Sequence, residues 1–583
     1  MIPRRDFLTS SGLMAGLSAA GIGSAAQLPA AKSILDYGAV PDGKTLNTRA
    51  IQRAIDEVTR AGGGLVYAPP GTFLMGGVEL KSNVTLYVEA GCVLLGSTSF
   101  DDYDFHGGPP INGDANGHHL IFARKAENIT LCGPGTIDGQ GESYWENIHR
   151  APMPAEDAWR DVSAWDYRPR DDNRRPSPMV EFAECRNVRI AGLTLHNSAG
   201  WTLRPVACET VVIDGIRVRN PNYGSNTDGM DITASSNVFV SNCDIDTGDD
   251  AICIKSENPY GATLPTRNIT ITNCTLTTSC NGLKLGTASR GAFENIVFSN
   301  SVIYAGTGSP FNTRVIGGIN VEVVDGGSVD GIVVSNIRMQ NVRAPIFVRM
   351  GSRSPVQGKV LTDLLMNLTG KEDASATSSI SGVPGQIVES PSRGRNSFLR
   401  NVLITGIDAE GAIITSSITG VPRLRPSDIT VSDCRIRTVA GGRAEWAARE
   451  IPEVAGRYPE STMMGHLPAY GFYVRHADRV RLRNVECITD AADERPAIVC
   501  DDVDDAIFAG LECSASAGDA PVFDLRNTRR AFLTGMRMAE GSSSMVQVSG
   551  EESSGIQLLG NAIPKGREIR YNGGARQDSA SVG

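Results

Sequence analysis

The chain has 583 residues, a net charge of −10, 64 glycines and 21% charged residues. An acidic chain of this kind is not expected to bind nucleic acid, and after the N-terminus no run of about 18 apolar residues exists that would cross a membrane. Its 12 cysteines show no CxxC spacing, which argues against a zinc site, and they are too sparse for a disulfide scaffold.

The N-terminus reads MIPRRDFLTSSGLMAGLSAAGIGSAAQ. Arg4 and Arg5 precede Phe7 and Leu8, a Gly/Ala-rich apolar stretch follows, and small residues suited to cleavage lie near Ala26. The pattern resembles a twin-arginine export signal over residues 1–26. That implies a bacterial protein, folded before export and periplasmic or secreted.

Next, TRAIQRAIDEVTRAGG carries a helical apolar period over Ala50–Ala61 and ends in glycine. Helical periodicity is nearly absent after it. Short alternating runs recur instead: NVTLYVEAG at Asn83, NITLCGPGTI at Asn128, NVRIAGLTL at Asn187, TVVIDGIRV at Thr210, NVFVSNCDI at Asn237, NITITNCTL at Asn268 and NIVFSNSVI at Asn295. GIVVSNIRM at Gly331, NVLITGIDA at Asn401, DITVSDCRI at Asp428 and RVRLRNVEC at Arg479 continue the series. Alternation marks strands, and a period in the twenties marks a solenoid of strands. Asparagine suits the corners because it tolerates left-handed backbone and its amide can bond the next coil. The period predicts an all-β, right-handed parallel β-helix over residues 27–560, its first coil capped by the single helix. Long loops are expected at 97–120, 140–178, 350–398 and 440–468. The ladder is expected to thin out near residue 545, and the Gly/Ser/Arg/Gln-rich residues 561–583 to form a loose tail. Cys185, Cys243, Cys274, Cys434, Cys487 and Cys513 recur at equivalent places and read as small stacked core residues.

Within the solenoid, NTDGMDITASSNVFVSNCDIDTGDD spans Asn226 to Asp250. One coil takes a couple of dozen residues, and neighbouring coils lie about 4.8 Å apart, so Asp228 returns beside Asp249 and Asp250. Three carboxylates this close cannot all ionise freely, which supplies an acid next to a base. Glycoside hydrolysis uses such a pair. A polar stack bonded to turn backbone, or a calcium site, uses the same residues, and the spacing alone leaves these readings open.

NTDG at 226–229 and GDD at 248–250, in this order on a β-helix, resemble glycoside hydrolase family 28, the polygalacturonases. SILDYGAVPDGKTLNTRAIQRAID, GGGLVYAPPGTFLMGGVELKSNVTLYVEAGCVLLGS, GPGTIDGQG at 133–141 and GLTLHNSAGWTLRPVACETVVIDGIRV at 192–218 are similar to the same family. The likeness is good over 33–345. It is more diffuse through YPESTMMGHLPAYGFYVRHADRVRLRNVEC at 458–487, which resembles the long C-terminal part of some bacterial members. The resemblance implies an inverting glycoside hydrolase; the chain is expected to act as a monomer on a pectic or related polysaccharide or oligosaccharide, with no metal or cofactor. The resemblance also implies Asp249 as general acid, and Asp228 and Asp250 as the residues that activate water.

Two family motifs differ. Where the family has Gly-His-Gly, this chain has SCNGLKLGT at 279–287, with Asn281 in the histidine position and Lys284 nearby. Where the family grips a uronate with Arg-Ile-Lys, this chain has GGINVEV at 317–323, with Asn320 and Glu322 replacing both cations. A carboxylate there would repel a uronate, and no arginine offers bidentate pairing unless Lys255, Lys284, Arg204 or Arg314 substitutes. Asn281, Asn320 and Glu322 are therefore expected to bind a neutral or partly neutral sugar, with Asn226, Lys255, Lys284 and Trp201 as further substrate contacts. Asp231 is expected to bond turn backbone, and His476, far downstream, to be structural. His118 and His119 lie in a polar loop where no role is demanded. Trp145, Trp159, Trp165 and Tyr167 either wall the groove or staple the 140–178 loop. Two further readings remain: a polysaccharide lyase with Lys255 or Lys284 as base, and a non-catalytic glycan-binding protein.

Overall fold

The computed structural model describes residues 31–106, 115–148, 167–171, 174–305, 315–353, 397–439 and 441–583. The proposed export signal, Trp159, Trp165, Arg314 and most of the 350–398 loop lie outside them.

The repeat seen in the sequence is the coil. Val188 pairs with Val211, Val211 with Val238, Val238 with Ile269 and Ile269 with Ile296, each in a parallel ladder. The offsets in sequence are those between the Asn-led runs. Each early coil contributes three strands, such as Met230–Thr233, Ser236–Ser241 and Asp244–Thr247. Three parallel ladders result, wound into a right-handed β-helix, the hand that parallel crossovers adopt. Alternate residues point inward: Val188 and Ile190, Val211 and Ile213, Val238 and Val240, Ile269 and Ile271 are buried and stack coil upon coil.

The corners explain the asparagines. Asn83, Asn128, Asn187, Asn237, Asn268 and Asn295 all adopt left-handed φ between 53° and 63°, a conformation other side chains resist. The Nδ2 of Asn128 donates to Oδ1 of Asn83 at 2.8 Å, that of Asn187 to Asn128 at 3.1 Å, and that of Asn268 to Asn237 at 3.0 Å. The strain of each corner is thus offset by an amide bond to the coil before it.

The helix Thr48–Arg60 buries Ala50, Ile51, Ala54, Ile55 and Val58 at the N-terminal end, where the first coil's apolar edge would otherwise meet water. At the other end the structure corrects the expectation of a loose tail. Ile569–Asn572 pairs with Val546–Ser549, and Ala580–Val582 pairs with Ile556–Leu559, all parallel. Backbone groups make these ladders, so a Gly- and Ser-rich composition does not prevent coiling. The recurring cysteines are free thiols within the stacks, mostly buried.

Candidate active site

Asp228 stands just before the strand Met230–Thr233, and Asp250 just before Ile252–Ser256 on the next coil. Met230 pairs with Ile252, and Gly229 N donates to Asp250 O at 2.9 Å, so the two aspartates are stacked neighbours. In a straight strand, adjacent Asp249 would point the opposite way. The chain bends at Gly248–Asp249 instead. Gly248 makes this possible, because a Cβ there would lie 2.3 Å from Gly224 O and 2.7 Å from Pro221 O. Asp249 is turned to the same side and held there: Oδ1 accepts from Asp250 N at 2.8 Å, and Oδ2 from Asn226 N at 3.1 Å. Carboxylate oxygens of Asp228 and Asp250 lie within 4.8 Å, as do those of Asp249 and Asp250. All three side chains are buried, Asp249 being the most exposed at 8%.

Two buried ammonium groups flank the trio. Lys255 Nζ lies 3.5 Å from Asp228 Oδ2, bonds Asp231 Oδ1 and donates to Cys253 Sγ at 3.1 Å. Lys284 Nζ lies 3.3 Å from Asp250 Oδ2. These partners separate the three carboxyls. Burial drives Asp249 upward, Asp250 adds to it, and Lys284 offsets only part, so its pKa is raised to about 6. Asp250 is equally buried. There Lys284 first, then Lys255 and the Asn281 amide, outweigh desolvation and hold the carboxyl below its ordinary range. Asp228 is pushed well up by burial, then by Asp231 and Asp249, against the pull of Lys255. The site thus keeps a protonated Asp249 beside an ionised Asp250 in mildly acidic water.

The sequence-derived contacts divide into two groups. Asn226 and Lys255, expected as substrate contacts, border the trio, Asn226 through its backbone N–H. Asn281, Asn320 and Glu322 have no exposed surface and lie beneath it. Asn281 Nδ2 donates to Asp250 Oδ1 at 2.7 Å, and Asn320 Nδ2 to Asn281 Oδ1 at 2.9 Å. Glu322 Oε2 is buried with no hydrogen-bond partner among the described residues, and burial raises its carboxyl well above the usual range. These three residues support Asp250 from below and offer a ligand no surface, which corrects their expected role as direct sugar contacts. Trp201 is also buried; Lys255 Nζ sits 4.3 Å from its ring centroid, so it packs under a cation and is no open stacking platform.

Some residues were underrated or missed. Asp231 pairs with Lys255 and does not bond turn backbone, because Arg204 and Cys253 stand beside it in the outward-facing column of one ladder. Tyr458 and Glu460 reach the site from the 440–468 segment: Lys284 Nζ donates to Tyr458 Oη at 3.1 Å, and Asn281 Nδ2 to Glu460 Oε2 at 3.4 Å. The sequence carried them in YPES, with no signal of where the segment folds. His476 is structural, its Nδ1 2.7 Å from Asp502 Oδ2 and its Nε2 3.1 Å from Glu453 Oε1. His119 is enclosed, its Nδ1 2.8 Å from Pro178 O, and its ring stacks on Phe122. Trp145 donates from Nε1 to Ala199 O at 3.0 Å, and its ring packs under Gly224, so it staples its loop to the turn before Asn226.

Asp228, Asp250 and Cys253, and Asp249, Asp250 and Cys280, are close enough to act as metal donors. The first set has the Lys255 ammonium on both Asp228 and Cys253, and Lys284 sits on Asp250, which both sets share. Those positive charges occupy the faces a cation would need, so the donor sets do not fit calcium.

Three comparisons bear on this geometry. The sequence profile described as "Glycosyl hydrolases family 28" matches residues 65–354. A "Probable polygalacturonase" of Vitis vinifera is 29% identical over 53% of this chain and 61% of its own length, and an "Endo-polygalacturonase" of Pectobacterium carotovorum is 27% identical over 47% and 64%. The matched part thus spans less than two thirds of either relative. A hyperthermoactive exopolygalacturonase from Thermotoga maritima has a similar solved structure, with a TM-score of 0.53 and 24% identity, covering 71% of this chain and 90% of that one. The structural likeness extends the shared β-helix fold, and the sequence matches support the family.

Proposed function

We propose that this chain is a glycosyl hydrolase of family 28 that cleaves O-glycosidic bonds in pectic polysaccharides by an inverting route. The observation that carries the reading is the division of charge in the trio: Asp249 held up to about 6 beside Asp250 held low. Asp249, still protonated in mildly acidic water, gives its proton to the glycosidic oxygen as the bond to the anomeric carbon breaks. Asp250, ionised, takes a proton from the water that attacks the anomeric carbon; its carboxylate oxygen lies within 4.8 Å of that of Asp249, nearer than the spacing usual for inversion, so inversion is carried by the family resemblance and the anomer of the first product tests it. Of the two aspartates expected to activate water, Asp250 is the one its surroundings keep charged; Asp228 helps to hold the water.

The surroundings also favour a substrate other than plain polygalacturonate. Lys255, Lys284, Arg204 and Arg353 are each paired with a carboxylate: Asp231, Asp250, Glu181 and Asp325 respectively. A sugar carboxylate entering here would compete for cations already neutralised, whereas hydroxyls of a neutral sugar need only hydrogen bonds. The outward column beyond Lys284 is closed by Phe347 and Tyr473, both fully buried, which favours a pocket and action at chain ends.

A lyase needs a neutral amine as base. Carboxylates, Asp231 first for Lys255 and Asp250 first for Lys284, outweigh burial and raise both lysines well above their ordinary pKa, so each stays an ammonium. Sugar release from a panel of pectic and neutral glycans, with unsaturated product followed in parallel, tests the reading. Hydrolysis of neutral or mixed pectic chains is expected. Efficient hydrolysis of polygalacturonate alone would overturn the substrate inference, and unsaturated products would overturn the reaction type.

A further inference from the structure

Asp250 is set from two directions. Asp228 faces it from the coil before, Lys255 stands on its own coil, and Asp249 adjoins it. From the coil after come Cys280, Asn281 and Lys284, with Glu322 one coil further. All of these belong to the profile-matched stretch 65–354. Tyr458 and Glu460, which bond Lys284 and Asn281, lie outside it.

The segment bearing them is fastened to the outside of the solenoid. Phe347, Tyr473 and Val499 occupy outward positions of one ladder, where a β-helix ordinarily meets solvent. Ile451, Met464, Leu467 and Ala469 cover them in a separate apolar cluster. Backbone bonds add to this anchorage: Ser352 N donates to Ala455 O at 3.0 Å, and Arg349 Nη2 to Glu453 O at 2.8 Å. What the anchored segment delivers is polar. Glu460 is 4% exposed; a buried carboxyl is costly unless bonded. Its Oε1 accepts from Ser461 N at 3.1 Å and its Oε2 from Asn281 Nδ2. The same Nδ2 donates to Asp250 Oδ1, while Asn320 fixes Asn281 Oδ1. The amide nitrogen thus donates to Asp250 and is shared on its other side between Glu460 and Cys280 Sγ at 3.3 Å. Tyr458 similarly accepts from Lys284, whose Nζ lies over its ring at 5.1 Å.

Resting on the hydrolase reading above, we propose that Tyr458 and Glu460 are positioning residues for Asp250: they orient Lys284 and Asn281 so that both donate to the carboxylate that activates water. The 440–468 segment is thereby part of the site, contributed from outside the family-matched region.

The test compares Glu460→Ala, Glu460→Gln and Tyr458→Phe with the wild type, each checked for folding by circular dichroism. Two readouts are taken: the pH profile of kcat/KM on the best pectic substrate, and titration of the Asp250 carboxyl by infrared difference against Asp250→Asn. In Glu460→Ala, Asn281 loses the acceptor that orients it. The acidic limb and the Asp250 midpoint should both move to higher pH, kcat should fall about tenfold, and KM should hold within about twofold. Glu460→Gln still accepts from Asn281 and should restore most of the loss. Tyr458→Phe keeps the ring and should shift the limb in the same direction as Glu460→Ala. Folded variants whose acidic limb and Asp250 titration match the wild type would overturn the proposal. The infrared readout needs no turnover and so decides the proposal even if no glycan is cleaved. Asp249→Asn, run beside them, separates the two claims: its full activity would sink the assignment of Asp249 as acid, absence of sugar release by the wild type would sink the hydrolase reading, and either leaves the Asp250 titration result standing.

Discussion

Asp249→Asn removes the proposed proton donor with little change of shape. The asparagine Oδ1 can still accept from Asp250 N, where Asp249 Oδ1 accepts at 2.8 Å, so the bend at Gly248 should persist. Raising a carboxyl from 3.8 to about 6 corresponds to roughly 3 kcal/mol of preference for the neutral form. At pH 5 such a group is about nine-tenths protonated, against about one-twentieth for a carboxyl at its ordinary value. The burial that drives this shift therefore makes an acid available where an exposed aspartate would be spent. Loss of general-acid catalysis should lower kcat by about 10²–10⁴-fold. The sign in pH follows from each group. Activity falls as pH rises through about 6, because Asp249 ionises, and falls again in strong acid, because Asp250 takes up a proton. Initial rates of reducing-sugar release from pH 3 to 8, on wild type and variant, measure both effects. A variant that keeps more than about a tenth of wild-type kcat, or whose residual activity retains the alkaline limb near 6, would refute the assignment of Asp249 as acid.

Gly248→Ala should abolish activity in a chain that still coils, because its Cβ would collide with Gly224 O and Pro221 O; normal turnover would show that the bend is not needed. Lys255→Met leaves Asp228 and Asp231 buried without their cation and should cost about 3–5 kcal/mol, read as a lower denaturant midpoint, with an unchanged midpoint counting against the pairing. Asn268→Ala, at a corner with φ of 56°, should cost about 1–2 kcal/mol, and Asn268→Gly should recover part of it. Asp502 is held down to about 2 because bonds from His476, Arg529 and Arg425 outweigh its desolvation. A depressed carboxyl stabilises above its unfolded pKa and loses that contribution as pH falls through the folded one. Asp502→Asn should therefore remove about 2 kcal/mol at neutral pH and flatten the stability change between pH 4 and 2; identical acid unfolding curves would contradict this.

The solenoid was legible because its period is local. Alternating apolar residues, an asparagine at each corner and coil offsets of two to three dozen residues are all properties of consecutive sequence, and the ladder pairs Val188, Val211, Val238 and Ile269 at those offsets. The meeting of Asp228, Asp249 and Asp250 followed from the same period together with one glycine. The order of the C-terminal tail is not legible in its composition, because the last coils pair through backbone groups that any residue carries.

What only the tertiary structure decided is the environment of those aspartates. Asp231 looked like a turn residue, yet its register sets it against Lys255. Asn281, Asn320 and Glu322 read as sugar contacts because they replace family residues, but the coil stack and the segment above them leave no open surface. Glu460 meets Asn281 across 179 residues of sequence, held there by apolar side chains around Phe347, Tyr473 and Val499. Periodicity determines which residues stack because each coil repeats the last. Charge state depends on burial and on neighbours delivered by loops, and those follow from three-dimensional packing, which has no period to read.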